Sequence, residues 1–241
     1  MMRSLKGILE LALTRIGLVS KKSAELRYWR QTLRRERTLA NRHYAYFYTA
    51  HFGLGPADYA GKYVLDVGCG PRGSLEWASS AAIRIGLDPL AHDYRSLGTA
   101  GHAMGYVAAS SEALPFPDGC FDIVCSFNSI DHVDHLDNAI SEVKRVLKPG
   151  GLLLLLTELN HDATVAEPMS FSWDIMDAFR DLTHLDIRHY ERVPTGLYDS
   201  IHAAVPYDHT DARKRYGILS AKMRKPEASW RSVAGGTRVQ K

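Results

Sequence analysis

Cysteine is scarce. Cys69, Cys120 and Cys125 are the only three in 241 residues and show no C-x-x-C spacing. That excludes a disulfide framework or a cysteine-built zinc knuckle and fits a reducing compartment. Long hydrophobic runs are also missing. The longest, GLLLLLT at 151–157, is far shorter than the roughly 20 apolar residues that cross a bilayer. The N-terminal apolar segment is broken by Glu10 and Arg15 and precedes no small-residue cleavage site. A signal peptide is therefore not expected, and a cytoplasmic location is. No internal repeat is visible, and the length suits one α/β domain with additions.

A large net charge of one sign is absent as well, at +3 overall, but the charge is unevenly spread. Residues 1–42 hold 11 Lys and Arg against 3 acids, and residues 210–241 hold 9 against 2. The stretch between them has 10 against 22. Such acidity argues against a nucleic-acid channel through the protein. The basic front reads as a solvated helix, or as a surface for anionic lipid through residues 4–22.

Residues 4–19 place Leu5, Ile8, Leu9, Ala12, Leu13 and Ile16 on one helical stripe, and a second helical stretch over 25–52 ends in Tyr44, Tyr46, Phe47, Tyr48 and Phe52. From Tyr63 the pattern becomes strand, glycine turn, helix, repeated. Strands are expected at 63–67, 83–88, 105–110, 121–127 and 151–159, with a helix at 137–147 stopped by KPGG. A helix at 172–182 and strands at 184–190 and 199–205 follow. Alternating strands and helices predict an α/β fold, a doubly wound, mostly parallel sheet. The division expected is an N-terminal helical cover or lid over 1–60, a ligand-binding domain over 61–209, and a basic, weakly ordered tail over 210–241.

VLDVGCGPRG (64–73) sets Gly68, Gly70 and Gly73 in G-x-G-x-x-G spacing directly after a strand. Glycine is needed where the backbone turns sharply and approaches a ligand. Asp66, two residues before the first glycine, would repel a pyrophosphate but suits a ligand ammonium. Asp88 ends the second strand, at the usual place for an acid that binds ribose hydroxyls. Together with GLDP, SSEALPFPDGCFDIV and RVLKPGG, the chain resembles the class I S-adenosylmethionine-dependent methyltransferases over about 63–160. The resemblance implies a Rossmann-like seven-stranded sheet with its last strand antiparallel and S-adenosylmethionine as methyl donor. It puts Asp66, Gly68 and Gly70 at the methionine end of that cofactor and Asp88 at the ribose. Ser110, Ser111 and Glu112 would border the adenine, Ser110 standing where the family often has Asp, and Asn128 would lie beside the methionine amine.

FNSIDHVDH (127–135) packs Asp131, His132, Asp134 and His135 into five positions after a strand. Asp134 suits an N-cap. Asp131 and His132 have a counterpart beyond the next strand in Asn160 and His161, and adjacent strand ends bring both pairs to one crevice. His132, His161 and Asp131 are the catalytic candidates: an imidazole can accept a hydroxyl proton and a carboxylate or amide orient it. N-x-x-D-H also resembles the E-x-x-E-H metal ligands of ubiquinone-pathway O-methyltransferases. On that resemblance Asp131 and His132 are candidate ligands for Mg²⁺ or another divalent metal, with Glu158 and Glu167 as further ones. The leading functional reading is O-methylation of a small molecule or glycan in a polar crevice. A membrane-surface quinone or lipid methyltransferase and a non-catalytic cofactor-binding scaffold are the alternatives.

Overall fold

The computed structural model describes residues 20–164, 167–211, 213 and 215–227; the stripe expected at 4–19 lies outside them. The strands are β1 (Tyr63–Val67), β2 (Ile83–Leu87), β3 (Gly105–Val107), β4 (Phe121–Phe127), β5 (Leu147–Leu159), β6 (Thr183–Glu191) and β7 (Gly217–Arg224). They form one seven-stranded sheet in the order β3-β2-β1-β4-β5-β7-β6. Strands β1 to β5 run parallel, and β7 lies antiparallel to both β5 and β6. The expected Rossmann-like, doubly wound α/β sheet with its last strand antiparallel is what forms.

Central strands buried on both faces read as continuous apolar runs, and their side chains divide between two cores. Leu65, Val67, Val124, Leu153, Leu155, Leu219, Ala221 and Met223 point to one face, against Ile140, Val143 and Val146 of α4 (Leu136–Val146) and against Ile175 and Phe179. Val64, Ile123, Cys125, Phe127, Leu154, Leu156 and Ile218 point to the other, beneath the aromatic segment and α5 (Leu197–Ala203). The remaining helices are α1 (Lys21–Glu36), α2 (Tyr44–Tyr48) and α3 (Ala91–Tyr94).

Several local expectations are corrected. The helical stretch over 25–52 is broken: α1 stops at Arg37, whose φ is 68°, and only the short α2 and a 3₁₀ turn at Ala50–Phe52 follow. Phe47, Tyr48 and Phe52 are fully buried, so this segment is core rather than a movable flap. No helix follows the glycine loop. Gly68, Gly70 and Gly73 all have positive φ, which a right-handed helix cannot contain, and residues 69–82 run as turns and irregular chain. DSIHAAV alternates like a strand but falls in α5, because Leu197 and Ile201 at i, i+4 are the buried pair. The stretch over 172–182 gives a 3₁₀ helix at Trp173–Phe179. β5 begins four residues before GLLLLLT, with Leu147 paired to Phe121 and a register shift before Leu152.

The tail boundary at residue 210 is the largest error. Residues 217–224 form β7, an interior strand whose register runs from Gly217 to Arg224 against both neighbours. Alternate cations hid it. Lys222 reaches the Phe52 carbonyl (2.6 Å), and Lys225, just past the strand, donates to the carbonyls of Lys144 (2.6 Å) and Leu147 (2.8 Å). Their charges are spent on backbone oxygens while Leu219, Ala221 and Met223 fill the core. A chain ending at residue 210 should therefore give no cooperative melting transition, since β5 and β6 would each lose a full ladder. A soluble product with a sharp calorimetric transition would contradict this.

Candidate functional site

Parallel strands in a doubly wound sheet deliver their carboxyl ends to one edge, where ligands bind. Here the ends of β1, β2 and β4 open onto a cavity of about 1200 Å³. Its floor is Asp66 to Gly70, Asp88 and Asn128, its sides include Ser110, Ser111, Glu112, His132 and Glu167, and α1 roofs it.

Asp66 is 2% exposed. One carboxylate oxygen accepts hydrogen bonds from the Tyr48 hydroxyl (2.9 Å) and the Ser74 hydroxyl. Burial pushes its pKa up to about 7, against the pull of those two donors, and nearby Asp88 raises it further. Asp88 accepts from the Gly70 amide (3.2 Å) and the Leu90 amide (2.8 Å). Burial, then the Glu25 carboxylate of α1, raise its pKa to about 6. No lysine or arginine pairs with either acid among the described residues. A pyrophosphate needs a helix N-terminus or backbone donors free of carboxylates; this floor offers two acids and no helix after the glycines. It fits a ligand with an ammonium, a sulfonium and ribose hydroxyls.

The glycines are set by packing as much as by the ligand. At Gly68, where φ is 74°, a Cβ would stand 2.2 Å from the Ser129 Cβ; at Gly70 it would stand 3.1 Å from the Trp29 ring. Ser129 in turn donates to the Val67 carbonyl (2.8 Å), tying the ends of β1 and β4 together. Trp29 presses α1 onto the loop, with the Arg72 guanidinium 5.7 Å from its ring centre and Arg72 paired to Glu36 (2.7 Å). Lys21, at the start of α1, donates to the His132 carbonyl and pairs with Asp134 (3.4 Å).

Asp131 and both histidines do converge. Asp131 is 1% exposed, and its oxygens lie 3.8 Å from His132 Nε2 and 3.5 Å from His161 Nε2. Glu167 Oε1 is 3.9 Å from His132 Nε2. Only His132 and Glu167 reach the cavity wall; Asp131 and His161 sit behind it. The expectation that His161 faces an acceptor directly is thus corrected: the chain from Met169 to Phe171 closes over it, with Ser170 bonded to its carbonyl (2.6 Å) and the Met169 amide to that of Asp131 (3.2 Å). Asn160 does not orient it either. That residue turns the chain out of β5 with φ 60°, and its amide donates to the Arg215 carbonyl (3.2 Å).

Asn128 is likewise left-handed, with φ 51°, and stays on the cavity floor. The N-cap of α4 is His135, without a side-chain cap, so Asp134 does not play that part. The Glu112 carboxylate accepts the Asp134 (2.8 Å) and His135 (3.1 Å) amides instead, and the Ser110 hydroxyl accepts the Glu112 amide (3.2 Å). Glu158, a further candidate ligand, pairs with Arg192 (3.0 Å) away from the cluster. Missed were Glu25, Trp29, His43 and Tyr198 on the cavity wall, while Tyr44 and Tyr48, expected only as part of a lid, line it as well. Aromatic density at 44–52 was the available signal for Tyr44 and Tyr48; Tyr198 carried none.

A family model described as a methyltransferase domain matches residues 65–155. The ubiquinone/menaquinone biosynthesis C-methyltransferase UbiE of Pasteurella multocida is 32% identical over 148 residues, 59% of this chain and 52% of that protein. UbiE of Shewanella sediminis is 33% identical over 145 residues, 59% and 56% of the two chains. The chain thus spans about half the length of these curated relatives. Among solved structures, the YcgJ protein of Bacillus subtilis superposes with a TM-score of 0.55 at 20% identity, covering 74% of this chain and 99% of its own. Geranyl diphosphate methyltransferase in complex with SAM gives 0.53 at 18%, covering 75% and 84%. Residues 65–155 thus match a methyltransferase domain, and the strand order above is that of the Rossmann-like methyltransferase fold.

Because Asp66 and Asp88 ionise near pH 7 and 6, affinity for a cationic ligand should fall as pH drops from 8 to 5.5. The sign follows from raised carboxyl pKa values: protonation removes the negative charge that the ligand cation meets. Calorimetric titration with S-adenosylmethionine at several pH values checks it. Asp88→Asn should weaken binding by about 1.5–3 kcal/mol, the increment for a hydrogen bond to a charged group. Gly68→Ala should destabilise the fold by about 2–5 kcal/mol, combining a left-handed backbone with overpacking on Ser129.

Proposed function

We propose that the protein transfers the methyl group of S-adenosylmethionine to a small-molecule acceptor bearing an ionisable ring hydroxyl, of hydroquinone type. The observation that carries this is the single cavity holding Asp66 and Asp88 at its floor, the polar pair His132 and Glu167 at its side, and Trp29, Tyr44, Tyr48, Phe127 and Tyr198 around them. The carboxylates suit the donor's charged groups; the aromatic side chains suit a planar acceptor, which a polar slot for a glycan would not require. The similarity to C-methyltransferases of ubiquinone and menaquinone biosynthesis supports this acceptor over O-methylation of a glycan.

The chemistry asked of the chain is modest. A ring hydroxyl gives up its proton at the Asp131–His132–Glu167 cluster. The resulting phenolate carries electron density on the neighbouring ring carbon, which bonds to the sulfonium methyl as the C–S bond breaks and S-adenosylhomocysteine leaves. Loss of the ring proton restores aromaticity and the product phenolate takes back the proton held at the cluster, so one proton is released per methyl transferred. Closing α1 over the cavity would exclude water from that step. The donor site rests on Asp66, Gly68, Gly70 and Asp88, with Ser110, Ser111, Glu112 and Asn128 on the same walls.

Incubation with methyl-labelled S-adenosylmethionine and water-soluble hydroquinones, followed by product analysis, tests the reading. A ring C-methylated product is expected. His132→Ala should slow its formation by ~10²–10⁴-fold, the usual worth of a general base, with S-adenosylhomocysteine affinity nearly unchanged. An ether product would move the assignment to oxygen. Cofactor binding without any acceptor turnover would favour the scaffold reading.

A further inference from the structure

We infer that Asp131, His132 and Glu167 form a divalent-cation site, selective for a transition-metal ion such as Mn²⁺ over Mg²⁺, with His161 as the residue that positions Asp131. Each of the three offers a ligand atom, and these atoms lie within 4.8 Å of one another. Asp131 Oδ1, His132 Nε2 and His161 Nε2 are buried polar atoms without a hydrogen-bond partner. Leaving even one such atom unpaired is costly, and here three face the same few ångströms.

The spacing discriminates between a hydrogen-bonded relay and a coordination shell. A relay would close to about 2.7–3.2 Å. The separations are 3.8 Å from Asp131 Oδ1 to His132 Nε2 and 3.9 Å from His132 Nε2 to Glu167 Oε1. Ligands each about 2.1 Å from a shared ion stand roughly 3.0–4.2 Å apart, which brackets both. Charge agrees too: two carboxylates and one imidazole make an anionic donor set, and neither carboxylate is paired with a lysine or arginine among the described residues.

His161 supplies the support a metal ligand requires. Its Nε2 lies 3.5 Å from Asp131 Oδ2 and its Nδ1 is 3.1 Å from the Asp162 carbonyl, so the ring form with a proton on Nε2 is the one that holds the carboxylate. Second-layer contacts of this kind fix ligand orientation. The donor set departs from the pattern expected from N-x-x-D-H, because Glu167 from the loop after β5 replaces Asn128. An imidazole among the ligands favours Mn²⁺, Fe²⁺ or Zn²⁺, whereas Mg²⁺ prefers oxygen only. His132 and Glu167 line the cavity, so an ion held there would bind an acceptor hydroxyl and lower its pKa in place of proton transfer to His132, the proton then leaving to solvent. That use of the ion rests on the methyl-transfer reading; the binding does not.

Tag-free full-length protein titrated with Mn²⁺ and followed by electron paramagnetic resonance tests the inference. One equivalent should bind, be displaced by Zn²⁺, and persist at an equal concentration of Mg²⁺. Glu167→Gln and His132→Gln should each weaken binding at least about tenfold, as second-layer changes alone do. His161→Ala should weaken it less, and His189→Ala, in the distant His189–His209 pair (2.8 Å apart), should leave it unchanged. Absence of Mn²⁺ binding, or equal binding in the Glu167 and His132 variants, overturns the site. Turnover of hydroquinones undiminished by chelator, with no Mn²⁺ bound, would sink the metal and keep the methyltransferase. Mn²⁺ bound at this cluster with no acceptor methylated would do the reverse.

Discussion

Three carboxylates, Asp66, Asp88 and Asp131, are buried at the ends of parallel strands with no lysine or arginine paired to any of them among the described residues. Removing a carboxylate from water without a counter-charge is unfavourable, and the surrounding chain is arranged to contain that cost. Tyr48 and Ser74 donate to Asp66, the Gly70 and Leu90 amides donate to Asp88, and His132 and His161 flank Asp131. The compensation is incomplete, since burial still raises all three pKa values. The site is thus predisposed toward cations, at the floor and at the side.

That constraint accounts for the shape of the polypeptide around the sheet. The aromatic segment after α1 supplies Tyr48 to Asp66 and, through the Tyr59 hydroxyl on the Tyr48 carbonyl, is locked to the turn that leads into β1. Phe47, Tyr48 and Phe52 seal the core beneath the cavity, with the Phe127 ring of β4 tilted against Tyr48 at 4.4 Å between centres. The helix α1 is held differently. Thr32 is its one buried residue. Leu26, Trp29 and Leu33 pack partly buried against Leu90, Tyr94 and Leu97, and the other ties are polar and peripheral, Lys21 to Asp134, Lys22 to Asp93, the Tyr94 hydroxyl to Glu25, and Arg72 to Glu36. An element with few buried contacts opens more readily than a core strand, so the roof is the part of the cavity suited to move while the aromatic floor stays fixed.

The far end of the sheet shows the same economy with cations. β7 lies between β5 and β6, and the long side chains around it end on backbone carbonyls or acids: Lys222 on Phe52, Lys225 on Lys144 and Leu147, Arg215 on Glu191. A segment that looks solvated by composition is instead pinned, because snorkelling stems cover apolar surface while the charged heads find oxygen.

The sequence by itself determined the strand–loop order from Tyr63 to Leu159, the glycine turn and the acids at the strand ends. These are local properties: apolar runs of strand length, positive-φ glycines, and acids fixed one or two residues from a turn. Asp66, Gly68, Gly70, Asp88, Ser110, Ser111, Glu112, Asn128 and His132 all reach one cavity because parallel strands bring their carboxyl ends to the same edge. Tertiary structure alone decided the rest. It placed His161 behind Asp131 rather than on the wall, brought Glu167 from the loop after β5 and Tyr198 from α5 to the site, put α1 over the glycines, and drew Gly217–Arg224 into the sheet. Each depends on which segment covers which, and periodicity along a chain carries no record of what will lie against it in space.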